Sequence, residues 1–554
     1  MSDHSQAAVM LEKGHTLLQQ SLRHFARLCS PKGKIETELI DTCQVQLFEL
    51  ARLAAQISAA EQLQQHASTL AGDARPASRL VAQLAPIYLA ETMQAIQRCF
   101  QFHEPDFGLP AGSLARLSTD SVACDFMGRW LAAEQIAATG ELLLEAGHPG
   151  EDNLSGEHAA LQAAFRRYAE EKVAPQAEAI HRQDLLIPES MIQELAEMGV
   201  FGLSIPEQYD GFADSAHPDH MAMVLVADEL SRASVGTAGS LGTRPELLSK
   251  ALLKGGTPAQ KERWLPGIAS GEVQTAVAIT EPDYGSNVAG ITTMARPVTG
   301  GWRLNGAKMW CTFAGRANAL MVLARTDPDR SLGHRGLSLF IVEKPPFGGH
   351  AFEVDNEHGS LTGRAIPTLG YRGMHSFELH FEDYFVPSEN LIGGEEGVGQ
   401  GFYLQMHGFT ASRLQTAGRA LGVMAAAFAE AFKYAGARLV FDRPLLDYPL
   451  TRHKLVKMAA HIQAARRLTY AAARAVDRGE GGLMAAMAKL LTAQYAEQIS
   501  RDALQLHGGM GYAQEFPISR HFVDARVLSI FEGAEEVLAL RVIARNLMSD
   551  SLVS

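Results

Sequence analysis

Apolar residues recur at three- and four-residue steps from Val9 to Phe102, as in LIDTCQVQLFELARLAAQIS and LVAQLAPIYLAETMQAIQRCF, the period of helices with one buried face. A Gly/Pro/Asp-rich connection, HEPDFGLPAGS, and one further helix lead to EAGHPGEDNLSGE at 145–157, a polar stretch that marks the first domain boundary. Helical pattern resumes over 158–270 in HAALQAAFRRYAEEKVAPQAEAI, PESMIQELAEMG and TPAQKERWLPGIA, with Pro and Gly between the segments. From Thr275 to Pro387 the pattern shortens to apolar runs such as TAVAIT, ALMVLAR, LSLFIVE and FELHFEDYFV between turn residues, as expected of antiparallel strands. After Asn390 the helical period returns and persists to Met548. The expected chain is α+β and mostly α: a helical extension over 1–157, a helical domain over 158–274, a β-domain over 275–390 and a helical domain over 391–554.

Composition narrows the function. Hydrophobic content of 47% with 20% charged residues belongs to a folded chain with a sizeable core. A net charge of −13 opposes a general role on nucleic acid or anionic membranes. The five cysteines, Cys29, Cys43, Cys99, Cys124 and Cys311, are scattered without CxxC or metal-ligand spacing, so reduced thiols and no metal site are expected. The first residues lack the basic start and apolar run of an export signal. The most apolar helical stretch, from Ala420 to Ala435 and beyond, carries Glu430, Lys433 and Arg438 and cannot span a bilayer. A cytoplasmic protein is expected.

Three constellations carry candidate chemistry. The turn Thr280-Glu281-Pro282-Asp283-Tyr284-Gly285-Ser286-Asn287 follows a strand, and can present backbone N–H groups and small hydroxyls to a planar cofactor or a pyrophosphate. An ordinary Pro/Gly turn would look the same. Asn305-Gly306 reads as a hairpin signal, and strand alternation then puts Trp310 and Thr312 on one face, on either side of Cys311. An indole beside a hydroxyl could cover a planar ring and donate to its edge, or could be a half-buried core Trp with a solvent-facing Thr. The third constellation runs from Gln505-Leu506-His507-Gly508-Gly509-Met510-Gly511-Tyr512 to Ile530-Phe531-Glu532-Gly533-Ala534-Glu535-Glu536.

Together these segments resemble the acyl-CoA dehydrogenase family, whose patterns TEPxxGS, NGxKxWxT, QxxGGxGY and Ile-aromatic-Glu-Gly occur here in order over 158–554. The resemblance implies a helical domain, a middle β-barrel-like domain and a C-terminal four-helix bundle, preceded here by the extra helical extension. It implies bound FAD, a short-chain acyl-CoA substrate, electron-transferring flavoprotein as acceptor, and a homo-oligomer, dimer or dimer of dimers, whose subunits share the FAD site. Ile279, Thr280, Ser286, Trp310, Cys311 and Thr312 match FAD-binding positions, with Ser286 near the FAD phosphates and CoA. Arg438 and Phe441, in ARLVFDR, and Gln505, Leu506, His507, Gly508 and Gly509 match positions that meet the cofactor of the neighbouring subunit; Ala534 and Glu536 match further cofactor positions.

Glu532 matches the family's catalytic carboxylate. A thioester α-C–H is a weak acid, so its base must be desolvated and close to that carbon. The resemblance gives the carbonyl oxygen a hydrogen bond from the backbone N–H of Glu532, and sends the β-hydride to the flavin. Some relatives carry the base just before the residue equivalent to Arg413; here that residue is Ser412, which is too weak a base, so Glu532 is expected to act alone. Arg413 and Gly533 match substrate-contacting positions. The sequence departs from the family at Ala534, where Thr is usual, at Tyr284 and Asn287, and at Asp442, where Gly is usual.

Arg244 lies where relatives line the acyl end of the pocket. An Arg is costly to bury without a counter-ion, so it invites an acidic substrate tail, although it could instead cap a helix or pair with Glu246. Thr243-Arg244-Pro245, WCTFAGRA and TLGYRGMHSFELHF resemble the branch of the family acting on short branched dicarboxylic thioesters. That implies oxidation of methylsuccinyl-CoA to mesaconyl-CoA, a step of the ethylmalonyl-CoA route. Glutaryl-, isobutyryl- or butyryl-CoA are the alternative substrates and an oxygen-using oxidase the alternative enzyme. A non-catalytic relative binding flavin and nucleic acid is opposed by Glu532 and by the lack of a basic tail.

Overall fold

The computed structural model describes residues 3–101, 103–154, 156–214, 218–356 and 359–553; Phe102, at the end of the predicted helical stretch, and Ser155, in the predicted connection, lie outside them. The chain divides into two compact units, one of residues 157–422 and one of residues 1–156 with 423–554. The division falls inside the helix Phe409–Ala437.

In the unit 157–422, eight strands form a curled half-barrel: β1 Thr275–Ala278, β2 Met294–Val298, β3 Gly301–Thr312, β4 Ala319–Arg325, β5 Leu337–Glu343, β6 Ala351–Asn356, β7 Gly359–Ala365 and β8 Ser376–Pro387. The order is β1-β4-β2-β3-β8-β7-β6, with β5 also on β4. β1 and β2 pair with β4 in parallel, a departure from the all-antiparallel expectation; the remaining pairs are antiparallel.

The run ALMVLAR is apolar throughout because β4 is buried on both faces. Leu320, Val322 and Ala324 join Phe340, Phe377 and Phe381 on one side, while Ala319, Met321 and Leu323 meet Leu248, Leu252, Trp264 and Ile268 of the covering helices on the other. Those helices are Arg244–Gly255 and Pro258–Ala269. The second starts on a reciprocal cap in which Thr257 and Gln260 satisfy each other's backbone. Helix His220–Ala233 packs closely on the N-terminal part of Phe409–Ala437, since a Cβ on Gly422 would stand 2.2 Å from the Asp228 carbonyl oxygen.

Asn305-Gly306 does not form the expected hairpin. The β2–β3 turn is at Thr299-Gly300, and Asn305-Gly306 sits inside β3 at a bulge. Asn305 Nδ2 donates to Asp383 Oδ1 (2.8 Å) while Asp383 N donates to Asn305 Oδ1 (3.0 Å), so the side chain supplies the hydrogen bonds that the bulge disrupts.

In the other unit, the extension helices Gln44–Thr69 and Pro76–Phe100 pack on the C-terminal helices Pro449–Asp477 and Gly482–His507. The contact is polar as well as apolar. Tyr88 and Tyr495 share a hydroxyl–hydroxyl bond of 2.9 Å. Glu91 receives His461 Nε2 at 3.0 Å and Lys457 Nζ at 2.9 Å, and Asp152 receives Arg466 and Arg467 at 3.1 and 2.6 Å. Among the described residues no helix is long and apolar enough to cross a membrane.

Candidate functional site

The loop after β1 is held from beneath. Lys308, wholly buried on β3, donates to Glu281 Oε1 (2.9 Å) and to the Ile279 carbonyl (3.0 Å). Glu281 also accepts from the backbone N–H of Thr292 and Thr293 and from the Thr292 hydroxyl. Burial pushes the Glu281 carboxyl up, but Lys308 and these donors outweigh it and hold the group at about 2. Burial lowers Lys308, with Glu281 opposing. The staple fixes Ile279 and Thr280, whose carbonyl accepts from Met309 N at 2.8 Å, and leaves Gly285 and Ser286 exposed at the rim.

A second bulge separates Lys308 from Cys311 against β8, and Trp310 lies at its crest with φ +60° and 53% exposure. Simple alternation therefore does not hold across 308–312: Lys308 and Cys311 are both buried. The Cys311 side chain lies in the sheet core, where burial raises its thiol to about 12, so only its backbone remains for a cofactor. Thr312 Oγ1 is 2.9 Å from Ser376 Oγ on β8. Trp310 and Thr312, the residues flanking Cys311, stay outside the core.

Arg244 is the first residue of its helix and half-buried. It donates to the Ser240 carbonyl (3.2 Å) and to Thr243 Oγ1 (3.1 Å), and no described carboxylate pairs with it. Glu246 is engaged by Gln415 and Lys250 instead, which excludes the Arg244–Glu246 pair. Gln405 has both amide atoms, and Gln415 and Glu246 one oxygen each, buried without a hydrogen-bond partner. Thr243 and Gln415 line a void of about 10 Å³ together with Val200, Met223, Leu230 and Gly239, large enough for about one water. Ser412 is buried, and Arg413 lies over the Phe409 ring at 5.8 Å.

In the unit 1–156 with 423–554, Glu532 has φ +55° and is half-buried; neither its N–H nor its carboxylate bonds to another described residue. Its loop is tied down by Lys489 Nζ on the Gly533 carbonyl (2.6 Å) and by Gln494 on Glu535 (3.1 Å). A Cβ on Gly533, at φ +102°, would meet nothing, so the glycine serves backbone conformation. Ala534 starts the short helix that carries the exposed Glu536.

Arg438 and Phe441 belong to a small ribbon pairing Leu439–Val440 with Arg443–Pro444. Phe441, 90% exposed, and Asp442 form its tip with φ +47° and +64°. Positive φ explains the family's Gly at that place, and Asp is among the residues that tolerate it. Gln505, Gly508 and Gly509 are exposed at the end of helix Gly482–His507, whereas His507 is buried, stacked on Tyr434 at 4.3 Å.

Each unit by itself offers features that fit part of a dinucleotide cofactor with planar rings. In one unit an indole is held in the open beside a hydroxyl and an exposed Gly-Ser rim; in the other, an exposed Phe and a Gly-Gly turn leave empty space at every Cβ position. A cleft of about 1050 Å³ lies elsewhere, between the extension and the C-terminal helices, and none of the predicted site residues lines it. Sequence reasoning missed Ser376 and the Lys308–Glu281 pair. The signal for the pair was a Lys and a Glu in strongly apolar surroundings, where buried charges must be matched.

Residues 155–272, 276–384 and 399–548 match the N-terminal, middle and C-terminal domains of acyl-CoA dehydrogenases. The chain is 45% identical over 400 residues to (2S)-methylsuccinyl-CoA dehydrogenase of Cereibacter sphaeroides, covering 72% of this chain and 71% of that one. It is 34% identical over 389 residues to an acyl-CoA dehydrogenase of Bacillus subtilis, covering 70% and 97%. Among solved structures, butyryl-CoA dehydrogenase from Megasphaera elsdenii aligns with TM-score 0.64 and 30% identity over 71% of this chain and 98% of that one. The glutaryl-CoA dehydrogenase–glutaryl-CoA complex aligns with TM-score 0.64 and 29% identity over 70% and 94%.

Proposed function

Because the chain belongs to the acyl-CoA dehydrogenase family, and is an oxidoreductase acting on CH–CH groups, we propose that it oxidises methylsuccinyl-CoA to mesaconyl-CoA in the cytoplasm. The observation that carries the substrate is the half-buried Arg244 guanidinium, which bonds only to neutral acceptors. A substrate ω-carboxylate supplies the missing counter-charge, and the identity to a relative with that activity supports the choice.

Glu532 is the base. Its unengaged carboxylate takes the α-proton, and its unengaged N–H donates to the thioester carbonyl oxygen as negative charge develops there. Ser412, buried and weakly basic, cannot replace it. FAD, when bound, supplies the acceptor for the hydride leaving the β-carbon. Ile279, Thr280, Trp310 and Thr312 would hold its ring side, and Ser286 would lie near its phosphates and CoA. Arg438, Phe441, Gln505 to Gly509, Ala534 and Glu536 would hold the cofactor of a neighbouring subunit in a homo-oligomer, with electrons leaving to electron-transferring flavoprotein.

An anaerobic screen of FAD-loaded protein against methylsuccinyl-, glutaryl-, isobutyryl- and butyryl-CoA tests this reading by flavin bleaching. Methylsuccinyl-CoA is expected to bleach fastest. Bleaching by the uncharged acyl groups alone would remove the proposed substrate.

A further inference from the structure

We infer that Asp184, His350 and His375 form a binding site for one divalent transition-metal ion of the zinc type. They come from three separate segments of the unit 157–422: the residue capping helix Ala174–Gln183, the turn before β6, and the residue before β8. One ligand atom of each lies within 4.8 Å of the others, and the two imidazole rings are 4.5 Å apart at 47°. Dispersal over the chain hides the set from any reading of ligand spacing.

The hydrogen bonds of His375 call for a cation. Its Nδ1 is 3.1 Å from the Gly373 carbonyl, which can only accept, so Nδ1 carries the hydrogen. In the neutral ring Nε2 then presents a lone pair, and it faces Asp184 Oδ1, another acceptor, at 3.2 Å. Two acceptors at that separation need a proton or a metal ion between them. A proton there would serve these two groups alone, whereas the His350 ring, 4.5 Å from that of His375, brings a further nitrogen within 4.8 Å of both, as a metal ion requires. An ion on Nε2 resolves the conflict, and an Nδ1–H bond to a carbonyl is the outer contact that fixes metal-bound histidines.

Two neutral imidazoles and one carboxylate suit zinc, cobalt or nickel, and not magnesium or calcium. His350 is exposed, which leaves a side open to water as a further ligand. Arg372 is a further charge here. Its Nε lies 3.7 Å from Asp184 Oδ1, while the guanidinium also donates to the Thr368 and His181 carbonyls, so it tempers affinity without closing the site. The role is structural. The His375 carbonyl accepts from Phe313 N at 2.8 Å and Ser376 bonds Thr312, so an ion here would pin the start of β8 where it supports Thr312.

The test is titration of chelator-treated, FAD-loaded full-length protein with Zn²⁺, with Co²⁺ as spectroscopic probe and Mg²⁺ as control, in wild type, His350→Ala and Asp184→Asn. The expected result is one saturable Zn²⁺ per chain, visible Co²⁺ bands, a rise in melting temperature with Zn²⁺ but not Mg²⁺, and at least about a ten-fold loss of affinity in each variant. Because His350 is exposed, its variant should keep the metal-free melting temperature and FAD content of wild type. No saturable equivalent in wild type, or wild-type affinity in both variants, would overturn the site.

Discussion

Lys308 Nζ lies 2.9 Å from Glu281 Oε1, and both side chains are buried beneath the loop that carries Ile279, Thr280 and Ser286. The pair converts two charges into a scaffold for backbone groups, and each is costly without the other. Lys308→Met or Glu281→Gln should therefore destabilise the protein by roughly 3–5 kcal/mol, since one partner is left buried and unmatched. The double substitution should recover part of that loss. Urea unfolding with parallel measurement of retained FAD checks both.

Glu532→Gln should keep thioester binding and FAD content while kcat falls by about 10²–10⁴-fold, the usual share of a positioned general base. Stopped-flow bleaching and a binding titration separate the two effects. Normal turnover would show that another group removes the proton.

Arg244→Gln should lower kcat/KM for acid-tailed thioesters by roughly 10–100-fold, the worth of a charged hydrogen bond, and leave butyryl-CoA nearly unchanged. Equal losses on both substrates would assign Arg244 to packing of its helix start.

Burial, with Arg467 nearby, holds the His66 imidazole down at about 4 against an ordinary 6.5, despite its 2.9 Å bond to the Glu151 carbonyl. A group whose pKa is depressed by folding contributes stability that is full above 6.5 and is lost as pH falls through 4. Melting temperature should drop over that window, and His66→Gln should make the drop shallower. Parallel melts of the two proteins at stepped pH measure the difference.

A chain beginning at Glu157 would strip Glu91 from His461 and Lys457, Asp152 from Arg466 and Arg467, and Tyr88 from Tyr495. Exposing faces that carry buried cations and apolar side chains should make the shortened protein melt earlier and aggregate. Light scattering and calorimetry against the full chain decide this.

The fold class and the enzyme family were legible in the sequence because they depend on short-range order. The three- and four-residue period, the apolar runs of 275–387 and the motifs around Ser286, Trp310, Gly508 and Glu532 are contiguous, and each constrains its own backbone. Contiguous pattern also misled. Asn305-Gly306 has hairpin chemistry, yet pairing with β8 across Asp383 makes it a bulge, and a second bulge breaks the alternation that would have put Lys308 and Trp310 on the same face. Sequence alone determined which residues carry charge, rings and reactive groups. Tertiary structure decided how each is engaged: Arg244 has only neutral acceptors while Glu246 meets Gln415 and Lys250, Glu535 rather than Glu532 is held by a side chain, and His375 faces Asp184. The reason is physical. Desolvation and hydrogen-bond satisfaction depend on neighbours brought from distant parts of the chain, and no local pattern encodes them.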